Sequence, residues 1–332
     1  MPSNILEFEK PLIELEEKIK ELQSFMEEKD LDLSNEIERL KKRALNLQKE
    51  IYANLEPEQI IKIARHPKRP TSLYYIQKIF DDFIELHGDR KFGDDKALIG
   101  GIAMFEGLPV TVIGHQKGRS TKENIKRNFG MAHPEGYRKA LRLMKQADKF
   151  NRPIISFINT TGAYPGIGAE ERGQAEAIAV NLMEMSDLKV PIIVVVIGEG
   201  GSGGALGIGL GDEILAFEYS YYSVSSPEAC AAILWKDADR AAEAARALKI
   251  TATDLLEYGI IERIIKEPMG GAHKNPEKAA SILKKELLNS INEFKKLSVN
   301  ELLKKRHLKF RQIGNQGKKV KTRRYKNLEV LK

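Results

Sequence analysis

The stretch that decides the fold is VPIIVVVIGEGGSGGAL, residues 190–206, in which a run of apolar residues leads into a dense cluster of glycines. Residues 190–197 are apolar throughout, which is typical of a strand buried on both faces of a sheet. The glycine cluster at 198–204, followed by Ala205, predicts a tight turn into a helix. Main-chain N–H groups at such a helix start attract negative charge. We therefore expect an anion-stabilising site where this strand ends.

An earlier part of the chain repeats the same arrangement. Residues 153–158 form a second apolar run, 159–168 a second glycine-rich loop, and 169–186 a helical pattern. Successive units of strand, loop and helix predict an α/β protein with helices on both faces of the sheet.

The N-terminal part of the chain has a different pattern. Residues 12–26 and 33–51 place apolar residues at helical spacing, the second run as a heptad seam. They predict a helical hairpin that needs a partner surface to cover its apolar stripe. After a proline-containing hinge at 65–70, a helix is predicted at 74–86 and a β-hairpin at 97–114. The predicted regions are a helical hairpin and interaction region at 1–64, an α/β domain at 65–300 and a basic tail at 301–332.

Composition excludes several classes of protein. Cys230 is the only cysteine among the 332 residues, so this chain alone cannot form a disulfide or a multi-cysteine zinc site. The apolar run at 190–197 is far shorter than the ~20 residues of a membrane helix. Residues 1–10 lack the apolar segment of a secretory signal. We expect a cytoplasmic protein with no membrane span and no metal site of its own.

The formal net charge of +7 is concentrated near the C-terminus. Residues 304–326 carry eleven Lys and Arg and no acidic residue, so the rest of the chain is mildly acidic, at −4. Such a run predicts a solvated end of the chain. Contact of this tail with an acidic partner or RNA is the alternative interpretation.

Several anionic ligands fit the turn at 198–204. A Walker loop requires Gly-Lys-Ser/Thr after its glycines, but Gly204 is followed by alanine, so that motif is excluded. The G-x-G-x-x-G spacing of a dinucleotide fingerprint is met by Gly198, Gly200 and Gly203, although no acidic residue ends a strand about 20 residues later. Otherwise the turn could bind phosphate, stabilise an enolate or urea oxygen, or serve only close packing of helix and strand.

A series of motifs in fixed order gives the sequence a specific resemblance. From about residue 6 to about residue 306, the chain resembles the carboxyltransferase alpha subunit family of bacterial acetyl-CoA carboxylase. The motifs that carry this resemblance are GHQKGR at 114–119, NFGM at 128–131, PEGYRKALRLM at 134–144, GAYPGIGAEERGQ at 162–174, GEGGSGGAL at 198–206, SPEACAAILWK at 226–236 and GGAHKNP at 270–276. The resemblance implies a crotonase-like fold of repeated ββα units.

The resemblance also implies an activity and partners. Such a chain works in an α2β2 complex with a beta subunit that bears a zinc ribbon. The complex transfers the carboxyl group of carboxybiotin to acetyl-CoA, and the product is malonyl-CoA for fatty acid biosynthesis. The biotin is held on a separate biotin carboxyl carrier protein, and only the separate biotin carboxylase uses ATP.

The resemblance assigns a role to the second glycine-rich loop, and the residues themselves suggest substrate contacts elsewhere. The main-chain amides of Gly203, Gly204 and Ala205 are expected to form the oxyanion hole for the biotin ureido oxygen. Further substrate contacts are expected from Gly162, Ala163, Gly201, Ser202, Lys117 and Arg119. The two cations of this set are candidates for contact with the phosphates of CoA.

One loop departs from the pattern of the family. The family usually has Asp-Thr-Pro-Gly where this chain has Asn-Thr-Thr-Gly at 159–162. Asn159 removes a charge and Thr161 removes a rigid residue. The sequence alone therefore does not determine the conformation of this loop.

An enoyl-CoA hydratase-like or decarboxylase member of the same fold is the alternative enzyme. A hydratase would need a pair of catalytic glutamates, and Glu199 and Glu228 are the only candidates near the loops. For carboxyl transfer we assign no side-chain base, because biotin that has lost its carboxyl group can itself accept the proton of the acetyl methyl group.

Overall fold

The computed structural model describes residues 6–29 and 32–314, and it begins with two helices packed against each other. Helix α1 (Lys10–Lys29) and helix α2 (Ser34–Ala53) confirm the predicted hairpin. Their buried side chains, which contact one another, are Leu12, Ile19, Ile37, Leu40 and Ala44. The two apolar stripes thus cover each other, and the expected partner surface is not needed for this purpose.

A single sheet forms the centre of the described part of the chain. Its strands are β1 (Asp81–Glu85), β2 (Leu98–Phe105), β3 (Leu108–His115), β4 (Ile154–Thr160), β5 (Ile192–Gly201), β6 (Glu213–Phe217), β7 (Tyr221–Ser223) and β8 (Arg263–Ile265). Their order across the sheet is β1-β2-β3-β4-β5-β6-β8, and β7 pairs with the last residues of β5. Pairings among β1, β2 and β3 are antiparallel, and all others are parallel.

Helices cover both faces of this sheet. Those that follow the hairpin are α3 (Pro57–Ala64), α4 (Ser72–Ile79), α5 (Thr121–Lys126), α6 (Pro134–Lys149), α7 (Ile167–Glu171), α8 (Gln174–Asp187), α9 (Ser202–Leu206), α10 (Pro227–Trp235), α11 (Ala241–Leu248), α12 (Ala252–Glu257), α13 (Pro276–Phe294) and α14 (Val299–Gln312). Because side chains alternate along a strand, β5 contributes to two cores. Val194 and Val196 pack with α6 and α8, whereas Val195 and Ile197 pack with α4 and α13.

The helix predicted at 74–86 is wrong beyond Ile79. Phe80 has an extended backbone, and the residues after it form β1, which pairs antiparallel with β2 at the edge of the sheet. The β-hairpin predicted at 97–114 is confirmed by the pairing of β2 with β3.

The predicted glycine turn at 198–204 begins later than expected. Strand β5 continues to Gly201, because Gly200 pairs with Thr160 of β4 while residues 199–201 pair with β7. The turn itself is therefore confined to the step from Gly201 to Ser202, where α9 begins. This geometry also removes the dinucleotide fingerprint, since Gly198 and Gly200 lie inside a strand rather than at the start of a helix.

Helix α14 changes the interpretation of the basic C-terminal run. It packs beside α8, and the side chain of Arg306 is completely buried. Arg306 donates hydrogen bonds to both carboxylate oxygens of Asp212 at 2.9 and 2.7 Å and to the main-chain carbonyls of Met185, Leu188 and Val190. The prediction of a solvated end is thus wrong for Arg306, whereas most of the residues from 304 to 314 are exposed or partly exposed. The rest of the predicted tail, 315–332, lies outside the described residues.

Candidate active site

The candidate site lies where three neighbouring parallel strands end. Strand β3 ends at His115, β4 at Thr160 and β5 at Gly201, and β4 lies between the other two. The loops that follow carry the motifs GHQKGR, GAYPGIG and SGGAL. Since ligands of open α/β sheets bind outside the carboxyl ends of the strands, this edge is the expected place for a site.

The two glycine-rich loops touch each other through their main chains. A Cβ atom added to Gly204 would lie 2.3 Å from the carbonyl carbon of Gly162 and 2.5 Å from the nitrogen of Ala163. A Cβ atom on Gly201 would lie 2.1 Å from the carbonyl oxygen of Thr161. Only glycine permits this approach. The structure therefore brings together the two loops that the sequence analysis proposed as one site.

Helix α9 begins with an unusual backbone conformation. Ser202 has a φ angle of 52°, in the left-handed region that non-glycine residues rarely adopt. By their position at the helix start, the N–H groups of Ser202, Gly203 and Gly204 have no carbonyl of α9 to bind. The predicted donors Gly203 and Gly204 therefore lie at a helix start, and Ala205 follows them directly.

A buried network of charges lies directly before this turn. The Glu199 carboxylate, 2% exposed, accepts hydrogen bonds from Arg65 Nε at 2.8 Å and from Tyr221 Oη at 2.7 Å, and it forms an ion pair with Lys117. The Arg65 guanidinium also binds Glu228 Oε1 at 2.6 Å. Burial opposes the ionisation of Glu199, but Lys117 and Arg65 outweigh it and lower its pKa to about 2.

These contacts argue against the pair of catalytic glutamates that a hydratase would need. Glu228 is also held ionised, because its hydrogen bond with Arg65 outweighs partial burial and lowers its pKa. A carboxylate with a low pKa is a weak base and carries no proton to donate near neutral pH. Both Glu199 and Glu228 bind the same guanidinium, so their geometry is that of a structural network.

The two cations predicted to contact substrate differ in their surroundings. Lys117 is paired with Glu199, and its side chain is 20% exposed. Arg119 is exposed, and its guanidinium lies 5.9 Å from the centre of the Tyr74 ring. Arg119 is therefore the one that is accessible to a ligand without breaking an ion pair.

Two further segments complete the wall of the site. Asn159 is buried, and its Oδ1 accepts a hydrogen bond from the Glu199 N–H at 3.2 Å. The side-chain amide that replaces the usual carboxylate therefore binds the main chain of β5 next to the turn. A Cβ atom on Gly130 would lie 2.9 Å from the Asn159 carbonyl oxygen and 3.0 Å from Lys117 Cγ. The NFGM segment thus packs beside the Lys117 side chain.

Sequence reasoning missed the roles of Arg65 and Tyr221. Arg65 is 134 residues from Glu199 along the chain, and no local spacing signals their contact. His115, which lies in a motif, is fully buried, and burial lowers its pKa to about 3, so its ring is neutral.

Two kinds of feature, a cluster of metal-ligating side chains and a membrane-spanning helix, bear on residues 6–29 and 32–314. These residues contain no group of three or more His, Cys, Asp or Glu side chains that could hold a metal ion. None of the helices described there is long and apolar enough to cross a membrane.

The fold and the turn define an α/β protein of the crotonase-like class, with main-chain amides at the end of its central strand. The sequence matches the family described as acetyl co-enzyme A carboxylase carboxyltransferase-like over residues 5–314, and the chain belongs to this family. It is 61% identical to the acetyl-coenzyme A carboxylase carboxyl transferase subunit alpha of Geobacillus sp. (strain WCH70), over 93% of this chain and 95% of that protein. The protein of the same name in Bacillus subtilis (strain 168) is 60% identical, with the same coverage.

Solved structures agree with the fold. A transcarboxylase 12S structure, with methylmalonyl-coenzyme A and methylmalonic acid bound, superposes with a TM-score of 0.55 at 19% identity, covering 67% of this chain and 41% of that one. The beta subunit of Pseudomonas aeruginosa geranyl-CoA carboxylase gives a TM-score of 0.52 at 18% identity, with 75% and 45% covered. These structures confirm the predicted crotonase-like fold, and the family match together with the relatives at 60–61% identity confirms the predicted carboxyltransferase activity.

Proposed function

We propose that this chain is the biotin-side half of a two-subunit carboxyltransferase. With a zinc-ribbon beta subunit, in an α2β2 assembly, it would transfer the carboxyl group from carboxybiotin to acetyl-CoA and give malonyl-CoA for fatty acid biosynthesis. The biotin would be held on a separate biotin carboxyl carrier protein, recharged by a separate biotin carboxylase that uses ATP. The observation that carries this proposal is the main-chain contact between the two glycine-rich loops at the end of β5.

The proposed chemistry depends on fixed main-chain donors. The biotinyl group, when bound, supplies the carboxyl group and gains negative charge on its ureido oxygen as that group leaves. The N–H groups of Gly203 and Gly204 suit such a charge, because they are oriented before the reaction and need no reorganisation during it. Gly201 fixes the position of the turn, and Ser202 begins the helix that presents the two amides.

The neighbouring loop has a supporting role in this proposal. Gly162 and Ala163 lie against Gly204, so they shape the wall that the substrate meets. Thr160 Oγ1 donates a hydrogen bond to the Gly162 carbonyl oxygen at 2.7 Å, which fixes the loop although it lacks the usual proline. We propose no side-chain base in this chain, since Glu199 is ionised within an ion-pair network and His115 is buried and neutral.

Contacts with CoA are proposed for one of the two candidate cations. Lys117 would have to leave Glu199 in order to meet a phosphate group. Arg119 is exposed next to the same loop, so we retain it as the candidate for contact with a CoA phosphate.

A reconstitution assay tests this function. The chain is mixed with a beta subunit of the same family, and malonyl-CoA-dependent carboxylation of free biotin is measured, with each subunit alone as the control. We expect activity only in the mixture, because the proposed site lacks its CoA-side half. Activity of the chain alone would contradict the proposal. Hydration of an enoyl-CoA by the mixture, without carboxyl transfer, would favour the alternative enzyme.

A further inference from the structure

The last side chain before the glycine turn is that of Glu199. Residues 200 and 201 are glycines and have no side chains. Strand β5 no longer pairs with β6 here, because that pairing ends at Val196. From Glu199 onward the strand pairs with β7 instead. The Glu199 carboxylate is therefore the nearest side-chain anchor ahead of Ser202.

This carboxylate joins three separate parts of the chain. Arg65 directly follows α3, Lys117 lies two residues after β3, and Tyr221 is the first residue of β7. Oxygen Oε1 binds Arg65 and Tyr221, and Oε2 binds Lys117. Tyr221 Oη also accepts a hydrogen bond from the Arg65 guanidinium at 2.9 Å. The two residues that bind Oε1 are therefore also bonded to each other.

We propose that Glu199 is a positioning residue of the active site, which fixes the direction of the Gly203 and Gly204 amides by tying β5 to Arg65, Lys117 and Tyr221. This inference rests on the proposed function for its kinetic consequence. Main-chain donors are effective only when the supporting residues hold them in place, and a misplacement of about 1 Å can cost on the order of 10²-fold in rate. Lys117 thereby acts as part of the support rather than as a phosphate ligand.

The kinetic test uses Glu199→Gln in the reconstituted complex. Glutamine keeps the shape of the side chain but removes the charge that binds Lys117 and Arg65. We expect kcat to fall on the order of 10²-fold, while KM for malonyl-CoA stays within about threefold, because the CoA contacts are not altered. Tyr221→Phe removes one hydrogen bond to the same carboxylate and is expected to lower kcat by about tenfold in a folded protein.

A matched control is available in the same hinge segment. Arg69 and Glu267 form an ion pair at 2.6 Å whose side chains are 2% and 0% exposed, so it is at least as buried as the pair of Glu199 with Arg65. Glu267→Gln should lower thermal stability, but the kcat of the complex that remains folded should not show the fall expected for Glu199→Gln. If Glu267→Gln lowers kcat as much as Glu199→Gln does, or if Glu199→Gln retains the wild-type kcat, the positioning role is refuted.

A measurement that does not depend on catalysis separates this inference from the proposed function. Hydrogen exchange of the peptide covering 199–210 is measured on the full chain alone. We expect faster exchange of this peptide in Glu199→Gln but not in Glu267→Gln, and equal exchange in both would overturn the proposal. A wild-type complex that transfers no carboxyl group would instead contradict the proposed function, whatever the exchange rates are.

Discussion

Replacing Gly204 with alanine tests the contact between the two glycine-rich loops. The added methyl group would lie 2.3 Å from the carbonyl carbon of Gly162 and 2.5 Å from both its oxygen and the nitrogen of Ala163. The loop at 159–168 has to move by about 1 Å to restore ordinary contact at about 3.4 Å. Because all three contacts are with main-chain atoms, no side chain can move aside instead.

The expected consequence of Gly204→Ala is a loss of kcat. Displacement of about 1 Å, or loss of one oxyanion donor, each costs on the order of 10²–10³-fold in rate. Gly203→Ala is the comparison, since its Cβ would meet only Ile178 Cδ1, at 3.5 Å. We expect that variant to stay within about tenfold of the wild type in the same reconstituted assay. If Gly204→Ala has the wild-type kcat in an assembled complex, the steric reasoning is refuted.

Two further predictions concern stability. Truncation after Leu303 removes the ion pair of Arg306 with Asp212 and the hydrogen bonds of Arg306 to three main-chain carbonyls, so we expect the free energy of unfolding to fall by about 2 kcal/mol or more. Truncation after Gly314 is the control, and equal stability of the two variants would contradict this account of α14. The pKa of Glu199 is about 2 in the folded chain against an ordinary 4.5, so the folded state binds fewer protons than the unfolded state. The contribution of Glu199 to the free energy of unfolding is therefore present above about pH 4.5 and is lost as the pH falls towards 2. Urea unfolding between pH 5 and pH 3 should therefore show a smaller loss of stability in Glu199→Gln than in the wild type; equal losses would argue against the ion-pair network.

The sequence predicts much of this fold because its local signals agree with its tertiary structure. The apolar runs at 153–158 and 190–197 lie in the centre of the sheet, where both faces are covered by helices. The glycines that follow these runs lie at the edge of the sheet that carries the candidate site. The start of the turn was misplaced because glycine favours turns locally, whereas pairing of residues 199–201 with β7 extends the strand.

The remaining errors arise where distant residues decide the local structure. Edge strand β1 depends on β2 as its pairing partner, and nothing in residues 74–86 alone distinguishes it from the end of a helix. Arg306 lies in a run of cations that predicts a solvated surface, but Asp212, 94 residues earlier, provides a buried counter-ion. Glu199 likewise finds Lys117 at a distance of 82 residues. Such ion pairs carry no signal in spacing.

The most direct test of the central claim is a structure of the chain assembled with its beta subunit and a biotinyl ligand. The account predicts that the ureido oxygen lies about 2.7–3.1 Å from the main-chain nitrogens of Gly203 and Gly204, as an oxyanion hole requires. Placement of the ureido oxygen against side chains alone, with neither amide in hydrogen-bond range, would contradict it.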